Sequence, residues 1–206
     1  MKKFFTAIPL QIRGQLAAYC YEAVDNQKLR MEKAVSFPIL TAVNGYVEPG
    51  EDFRVICLMP DTQDGHRNFS VLEEQLAELC ARRGFAPVKP EPVLLDPGEG
   101  VSSHVAAFQR LIDRVEEEDE LFACITFGTK PLSQAILLAI QYAYRVKKNT
   151  SISCILYGQV DRSDPQNHIA RVYDETALIQ LDEIVRVLAD RGVSNPKAVI
   201  DRILEL

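Results

Sequence analysis

The chain has 206 residues, of which 47% are hydrophobic and 25% are charged. That length suits one α/β domain with at most a short appendage. The formal net charge is −6 and no basic stripe is visible, which argues against a protein that grips long DNA or RNA. A small ligand with few phosphates stays compatible with this composition, because a local site can oppose the global charge.

The cysteines and the N-terminus indicate a cytoplasmic protein. Three of the five cysteines lie in apolar, strand-like runs and none forms a C-x-x-C pair, so we predict reduced core residues rather than a disulfide framework or zinc site. The opening MKKFFTAIPL lacks the apolar region and cleavage site of a secretion signal. No apolar run reaches the ~18 residues of a membrane span. The histidines lack metal-binding spacing, and we expect neither a metal nor a cofactor.

Strands and helices are predicted in chain order from apolar periodicity and from cap and turn residues. Segment 16–31 has weak periodicity and is interpreted as a hairpin or irregular excursion, whereas 61–67 and 158–167 are interpreted as polar loops. The acidic run 116–120 is interpreted as a solvated helix end. The predicted strands are 3–10, 53–59, 93–95, 121–127, 151–157 and 169–173. The predicted helices are 36–45, one capped by Asn68 or Ser70 and ended by Gly84, one capped by Ser102 or Ser103, then 131–146, 176–190 and a short last helix opened by Asn195 and Pro196.

The order of these elements predicts the fold class. Strands and helices alternate from Phe53 onward at lengths that suit right-handed βαβ units. We therefore predict an α/β, Rossmann-like, mostly parallel sheet flanked by helices. Residues 1–206 are expected to form a single domain, with 174–206 as a C-terminal helical extension.

The stretch 121–146 is the best candidate for a binding site. An apolar strand is followed by a three-residue loop, Gly128-Thr129-Lys130, and then by a long apolar helix in which Pro131 suits the first position. A strand end that faces a helix N-terminus is a common anion site in open α/β sheets. The loop matches neither the phosphate-binding P-loop nor the dinucleotide fingerprint. The alternative is that this turn only connects its two elements.

The helix 131–146 is apolar on more than one side. Leu132, Ile136 and Ile140 belong to one stripe, which Leu137 and Leu138 broaden. One side can cover the sheet, but the other needs a partner. A two-fold homodimer is the simplest source of that partner, and the alternative is cover by other elements of the same chain.

These residues resemble a known family. The strand LFACITF running into Gly128-Thr129-Lys130 and a long apolar helix resembles the CARF domain, the CRISPR-associated Rossmann-like fold. The family's usual turn is Gly-Gly-Thr-Lys-like, and Phe127 stands here in place of the first glycine. The opening segment 4–11, the region near Tyr21 and the later 36–39 are also similar to small, stand-alone CARF proteins of type III CRISPR loci.

The resemblance implies a homodimer that binds a cyclic oligoadenylate across its two-fold axis, as a sensor in antiviral signalling. Each protomer would supply the loop after its first strand and the Gly-Thr-Lys loop. Ser133 and Gln134, one turn into the helix, would reach a phosphate or an adenine, or would be solvated on the helix surface. The ligand-binding residues that the resemblance implies are Pro9, Leu10, Gln11, Gly128, Thr129, Lys130, Ser133 and Gln134.

Three functions are consistent with the sequence. The first is a sensor without a fused nuclease, since the R-x-x-x-x-H motif of the family's ribonuclease effectors is absent. The second is a metal-independent ring nuclease, in which a ribose 2′-hydroxyl attacks the adjacent phosphate and Lys130 stabilises the developing charge. No histidine is an obvious general base for that reaction. The third is a Rossmann-like regulatory domain unrelated to CRISPR.

Overall fold

The computed structural model describes residues 1–10, 16–96, 98, 100–164 and 166–205, and it confirms the predicted α/β class. A mostly parallel sheet lies between two layers of helices. The strands of the described residues are β1 (Lys2–Ala7), β2 (Tyr21–Ala23), β3 (Phe53–Pro60), β4 (Glu91–Leu95), β5 (Glu120–Cys124), β6 (Ser151–Asp161) and β7 (Ile169–Asp174). The helices are α1 (Ile39–Tyr46), α2 (Gln63–Arg83), α3 (Val101–Ile112), α4 (Lys130–Val146), α5 (Thr176–Asp190) and α6 (Pro196–Leu204), with a short 3₁₀ helix at Gln27–Leu29.

The strand order in the sheet is β2-β7-β6-β5-β1-β3-β4. The five strands from β6 to β4 are all parallel, and β7 is antiparallel to β6. The C-terminal ends of β5, β1, β3 and β4 therefore meet at one edge of the sheet, which we call the carboxyl edge. Ligands of open α/β sheets bind at such an edge.

Each face of the sheet carries its own hydrophobic core. Neighbouring residues of a strand point to opposite faces, and in β1 Phe4 packs on the side of α1 and α2 whereas Phe5 packs on the side of α3 and α4. Phe4 stacks on Phe122 of β5 with ring centroids 4.4 Å apart. The central strands are covered on both faces, which explains their almost continuous apolar sequences.

The segment 16–31 contains a strand rather than a hairpin of its own. The short strand β2 pairs in parallel with β7, so that Tyr21 lies opposite Ala170, and Tyr19 forms a bridge with Val35. The partner strand is almost 150 residues away in the chain. Pairing over that separation leaves no local periodicity in the sequence, which is why the hairpin alternative was wrong, although the rest of the segment is irregular apart from the short 3₁₀ helix.

The segment 61–67 was predicted as a loop, but it contains the first turn of α2. Thr62 caps this helix, and its Oγ1 accepts a hydrogen bond from Gly65 N at 3.1 Å. Asn68 does not cap the helix; its side chain is buried and donates to the Pro9 carbonyl at 2.8 Å. The polar residues of the first turn misled the prediction because the exposed face of an amphipathic helix has the same composition as a loop.

Other boundaries also differ from the predictions. Gly100, rather than Ser102 or Ser103, precedes α3. Strand β6 extends to Asp161, beyond the predicted end at 157, because its antiparallel pairing with β7 continues the hydrogen-bond ladder. The predicted bounds of α5 and the αL glycine that ends α2, Gly84, are confirmed.

The acidic run 116–120 is only partly solvated. Glu116, Glu117 and Glu118 are exposed, as predicted, but Asp119 is 2% exposed. Its Oδ2 lies 2.8 Å from Nζ of Lys3, which is itself 0% exposed. The interpretation as a solvated helix end was wrong for Asp119, because a buried carboxylate needs a partner and this one, Lys3, is distant in the sequence.

Gly45 lies inside α1 instead of ending it, and the reason is contact with the 3₁₀ helix. A Cβ at this position would lie 1.7 Å from the carbonyl oxygen of Lys28. We expect Gly45→Ala to lower the free energy of unfolding by about 3 kcal/mol or more, because backbone must move to admit the methyl group. Urea denaturation measures this change. The control is Gly100→Ala, whose Cβ meets its nearest neighbour at 3.7 Å and should cost less than about 1 kcal/mol; equal losses in both variants would contradict this packing.

The C-terminal helices differ in how they attach. Asp174 is the last residue of β7, so the predicted extension 174–206 begins within the sheet. Helix α5 packs Ile179 into the second core, and Thr176 Oγ1 accepts a hydrogen bond from Ile155 N at 2.8 Å. Helix α6 contacts α5 and has no buried residue. Among the described helices, none is long and apolar enough to cross a membrane.

Candidate functional site

A cavity of about 290 Å³ opens at the carboxyl edge. The loops that follow β1, β3, β4 and β5 all contribute to its wall, together with the first turns of α3 and α4. We call it the edge cavity. The described residues that line it are Ile8, Leu10, Pro60, Thr62, Leu95, Asp96, Gly98, Ser103, His104, Gly128, Thr129 and Leu132.

Gly128 allows the chain to turn from β5 into α4 against the end of β1. Its φ is +94°, in the region that favours glycine, and a Cβ there would lie 3.0 Å from the Cβ of Ala7. Thr126 fixes the approach to this turn, since its Oγ1 accepts hydrogen bonds from Gly158 N at 2.7 Å and from Cys124 Sγ at 3.1 Å. The turn therefore brings the N-terminus of α4 over the end of the sheet.

The N-terminus of α4 presents polar groups to the cavity. Thr129 is the N-cap residue, and its side chain makes no capping hydrogen bond. Its Oγ1 is buried and has no hydrogen-bond partner within the described part of the chain. Lys130 is the first residue of the helix and is exposed. Free N–H groups and the helix dipole make such an end favourable for an anion.

The structure brings only some of the predicted ligand-binding residues together. Leu10, Gly128 and Thr129 line the edge cavity, and Lys130 follows directly. Pro9 is buried, and its carbonyl accepts a hydrogen bond from Asn68. Gln11 lies outside the described residues.

The two residues one turn into α4 point elsewhere. Ser133 Oγ donates to the Ile125 carbonyl at 3.4 Å. Gln134 lines a second depression, between α3 and α4. The resemblance implied both positions, with solvation on the helix surface as the alternative, and a resemblance of a few residues does not specify which neighbours a side chain contacts.

Several polar residues of the edge cavity were missed from the sequence. Thr62 and Asp96 come from the β3–α2 and β4–α3 connections, and Ser103 and His104 come from the first turn of α3. The available signal was their position after predicted strands, because the ends of parallel strands meet at one edge. To use that signal, one must know which strands are neighbours in the sheet, and the sequence does not give the strand order.

The second depression is a groove between α3 and α4, with a volume of about 740 Å³. We call it the α3–α4 groove. Several of its apolar side chains are open to solvent, including Val101 (79% exposed), Val105 (49%) and Leu138 (47%). His104 lines both this groove and the edge cavity, so the two depressions adjoin at that residue.

Cys124 is the last residue of β5, just before the Gly128 turn, and its thiol is buried. Burial raises the pKa of Cys124, although hydrogen bonds from its surroundings, including Thr126, act in the opposite direction. A neutral buried thiol is a poor nucleophile. Among the described side chains, no three His, Cys, Asp or Glu residues come together in an arrangement that would hold a metal ion.

The fold and the edge cavity define an α/β protein with a cavity at the carboxyl edge of its sheet, beside the N-terminus of α4. Comparison with protein-family models finds no match for the chain, and comparison with curated proteins finds none either. The function is therefore inferred from the geometry of the site.

Proposed function

We propose that the protein is a CARF-type sensor that binds a cyclic oligoadenylate as a homodimer in the cytoplasm, in type III CRISPR antiviral signalling. One observation carries this proposal. Leu10 from the loop after β1 and Gly128 and Thr129 from the loop after β5 line a single cavity at the N-terminus of α4. These are the two loops that the resemblance to the CARF family assigns to the ligand.

The polar groups of the edge cavity suit a nucleotide. The α4 N-terminus, the unpartnered hydroxyl of Thr129 and the ammonium of Lys130 favour a phosphate. Asp96 is an acceptor, which suits a ribose hydroxyl or the amino group of adenine rather than a phosphate. A ligand that combines phosphates with hydrogen-bond donors therefore fits better than a simple inorganic anion.

The size of the cavity supports a shared ligand. Its volume of about 290 Å³ is at the lower end of the about 300–1,000 Å³ that is usual for small-molecule sites. One protomer can hold a nucleotide-sized portion of a ring but not the whole ring. Two cavities related by a two-fold axis would hold the two halves of a symmetric ring.

The α3–α4 groove is the proposed homodimer interface. Helix α4 buries Ala135, Ile136 and Ala139 against its own sheet, but Leu138 stays exposed, so the rest of the described chain does not cover that side. The groove meets the edge cavity at His104. A partner packed there would bring the two cavities close to the same two-fold axis.

A charge in this groove should separate the dimer. We expect the unmodified protein to sediment with the mass of two chains and Leu138→Glu with the mass of one, because a carboxylate cannot be buried unpaired in an apolar interface. Analytical ultracentrifugation gives both masses. Val24→Glu is the matched control, since Val24 is 49% exposed and lies beside β2 at the far end of the sheet order. If the Leu138→Glu variant still sediments with the mass of two chains, another face forms the interface.

Ligand binding tests the proposal itself. Cyclic tri-, tetra- and hexaadenylate are each added to the protein, with linear oligoadenylates of equal length as controls. We expect the melting temperature to rise with one ring size and to change less with its linear form. A lack of response to every ring would contradict the proposal and favour the third function, a regulatory domain unrelated to CRISPR.

A ring nuclease is the second candidate function, and the position of His104 favours it. From the sequence, no histidine was an obvious general base. His104 now lines the same cavity as Gly128 and Thr129, which gives a bound ring a neighbour that can accept a proton.

A further inference from the structure

His104 differs from the other histidines in its surroundings. It lies in the first turn of α3, half-buried, and lines the edge cavity beside the Gly128–Thr129 turn. Its imidazole has no hydrogen bond or ion pair within the described part of the chain, and its backbone N–H donates to Gly100 O at 3.3 Å. Both ring nitrogens are therefore available to a ligand.

The other two histidines are less suitable. His66 is exposed, and its Nε2 is bonded to Asp61 Oδ1 at 2.8 Å. His168 is exposed and contacts the ring of Tyr19. Neither is among the described residues that line the edge cavity.

We propose that His104 is a catalytic residue, the base that accepts the 2′-hydroxyl proton when a bound cyclic oligoadenylate is cleaved. The assignment rests on the proposed function, because it requires the ring to occupy the edge cavity. It gives the protein an activity that limits the lifetime of its own ligand.

The reaction needs no co-reactant. Neutral His104 takes the proton from a ribose 2′-hydroxyl, and the 2′-oxygen forms a bond to the adjacent phosphorus while the bond from phosphorus to the 5′-oxygen breaks. The 5′-oxygen leaves as a hydroxyl after it takes a proton from water. The products are a linear oligoadenylate with a 2′,3′-cyclic phosphate at one end and a 5′-hydroxyl at the other.

Other groups at the site stabilise the transition state, and the dimer supplies a second copy of His104. The phosphate at the N-terminus of α4 gains negative charge in the transition state, and Lys130 and the helix end stabilise that charge. His104 also lines the α3–α4 groove, so a two-fold dimer formed there holds two copies of it, one at each half of the ring. Because the two copies are related by the two-fold axis, the ring is cleaved at one phosphate or at the two phosphates that lie opposite each other.

The test compares binding and cleavage in the same samples. The unmodified protein, His104→Ala and His66→Ala are incubated without added metal with the ring that raises the melting temperature, and products are separated by chromatography and mass spectrometry. We expect His104→Ala to keep the melting shift but to cleave about 10²–10⁴-fold more slowly, the usual contribution of a general base. His66→Ala should cleave at the unmodified rate.

Chemical rescue separates a proton-transfer role from a packing role. Added imidazole should restore part of the cleavage by His104→Ala, because the substitution leaves room for it in the cavity, and should not accelerate His66→Ala. Equal rates in His104→Ala and the unmodified protein would overturn the assignment, as would loss of cleavage in His66→Ala alone. Binding without any cleavage by the unmodified protein would overturn it and leave the sensor function intact, whereas absence of binding would overturn both.

Discussion

Replacement of Lys130 by alanine is expected to weaken the binding of a cyclic oligoadenylate by about 100-fold or more. Lys130 opens α4 beside the edge cavity, and the proposed homodimer would present two copies of it to one ring. A hydrogen bond to a charged group contributes about 1.5–3 kcal/mol, so the loss of two such contacts removes at least about 3 kcal/mol of binding free energy. Calorimetric titration of both proteins with the ring measures the ratio of dissociation constants.

The control for this experiment is Lys148→Ala. It makes the same change in net charge, and Lys148 is exposed just beyond the opposite end of α4. Its effect on affinity should stay within about threefold, because exposed charges farther apart than a Debye length of about 8–10 Å are largely screened. Unchanged affinity in Lys130→Ala would remove this lysine from the site, and equal losses in both variants would indicate a general charge effect.

Replacement of Lys3 by methionine should lower the free energy of unfolding by about 3–5 kcal/mol, the usual cost of breaking a buried ion pair from one side. Lys3 Nζ lies 2.8 Å from Asp119 Oδ2 and donates to the Arg114 carbonyl at 2.7 Å. Asp119 also accepts from Glu116 N at 2.6 Å and is therefore held in place. Without the ammonium, this buried carboxylate keeps, among the described residues, only the N-terminal amine, 3.5 Å away, as a cationic partner. Urea denaturation measures the change.

Two further variants show whether burial of the charge is the cause. The double variant Lys3→Met/Asp119→Asn should be clearly more stable than Lys3→Met, because the uncompensated charge is gone while the acceptor for Glu116 N remains. Lys33→Met breaks an ion pair with Glu78 in which both side chains are about half exposed, and it should cost less than about 1 kcal/mol. A cost for Lys3→Met as small as that for Lys33→Met would mean that the ion pair contributes little.

The features that were predicted well from the sequence depend on residues that are close together in the chain. The apolar run of β5, the glycine turn at Gly128 and the start of α4 follow from local periodicity and from the conformations open to glycine and proline. The bounds of α5 follow in the same way from its amphipathic spacing. The mostly parallel sheet followed from the alternation of elements.

The features that were missed depend on partners that are distant in the chain. Strand β2 exists because of β7, and Asp119 is buried because of Lys3. The residues of the edge cavity also come together from parts of the chain that are distant in sequence. Leu10 and Thr129, which follow two neighbouring strands, line one cavity, but His104 enters it from α3, and only the order β5-β1-β3-β4 in the sheet makes that helix a neighbour.

The stoichiometry of ligand binding tests the central claim most directly. Isothermal titration of the protein with the ring that raises its melting temperature gives the number of rings bound per chain. We expect one ring for two chains, since in the proposed homodimer each edge cavity would hold only part of a ring and the two cavities would share it across a two-fold axis. One ring for each chain, or no binding of any cyclic oligoadenylate, would contradict the claim.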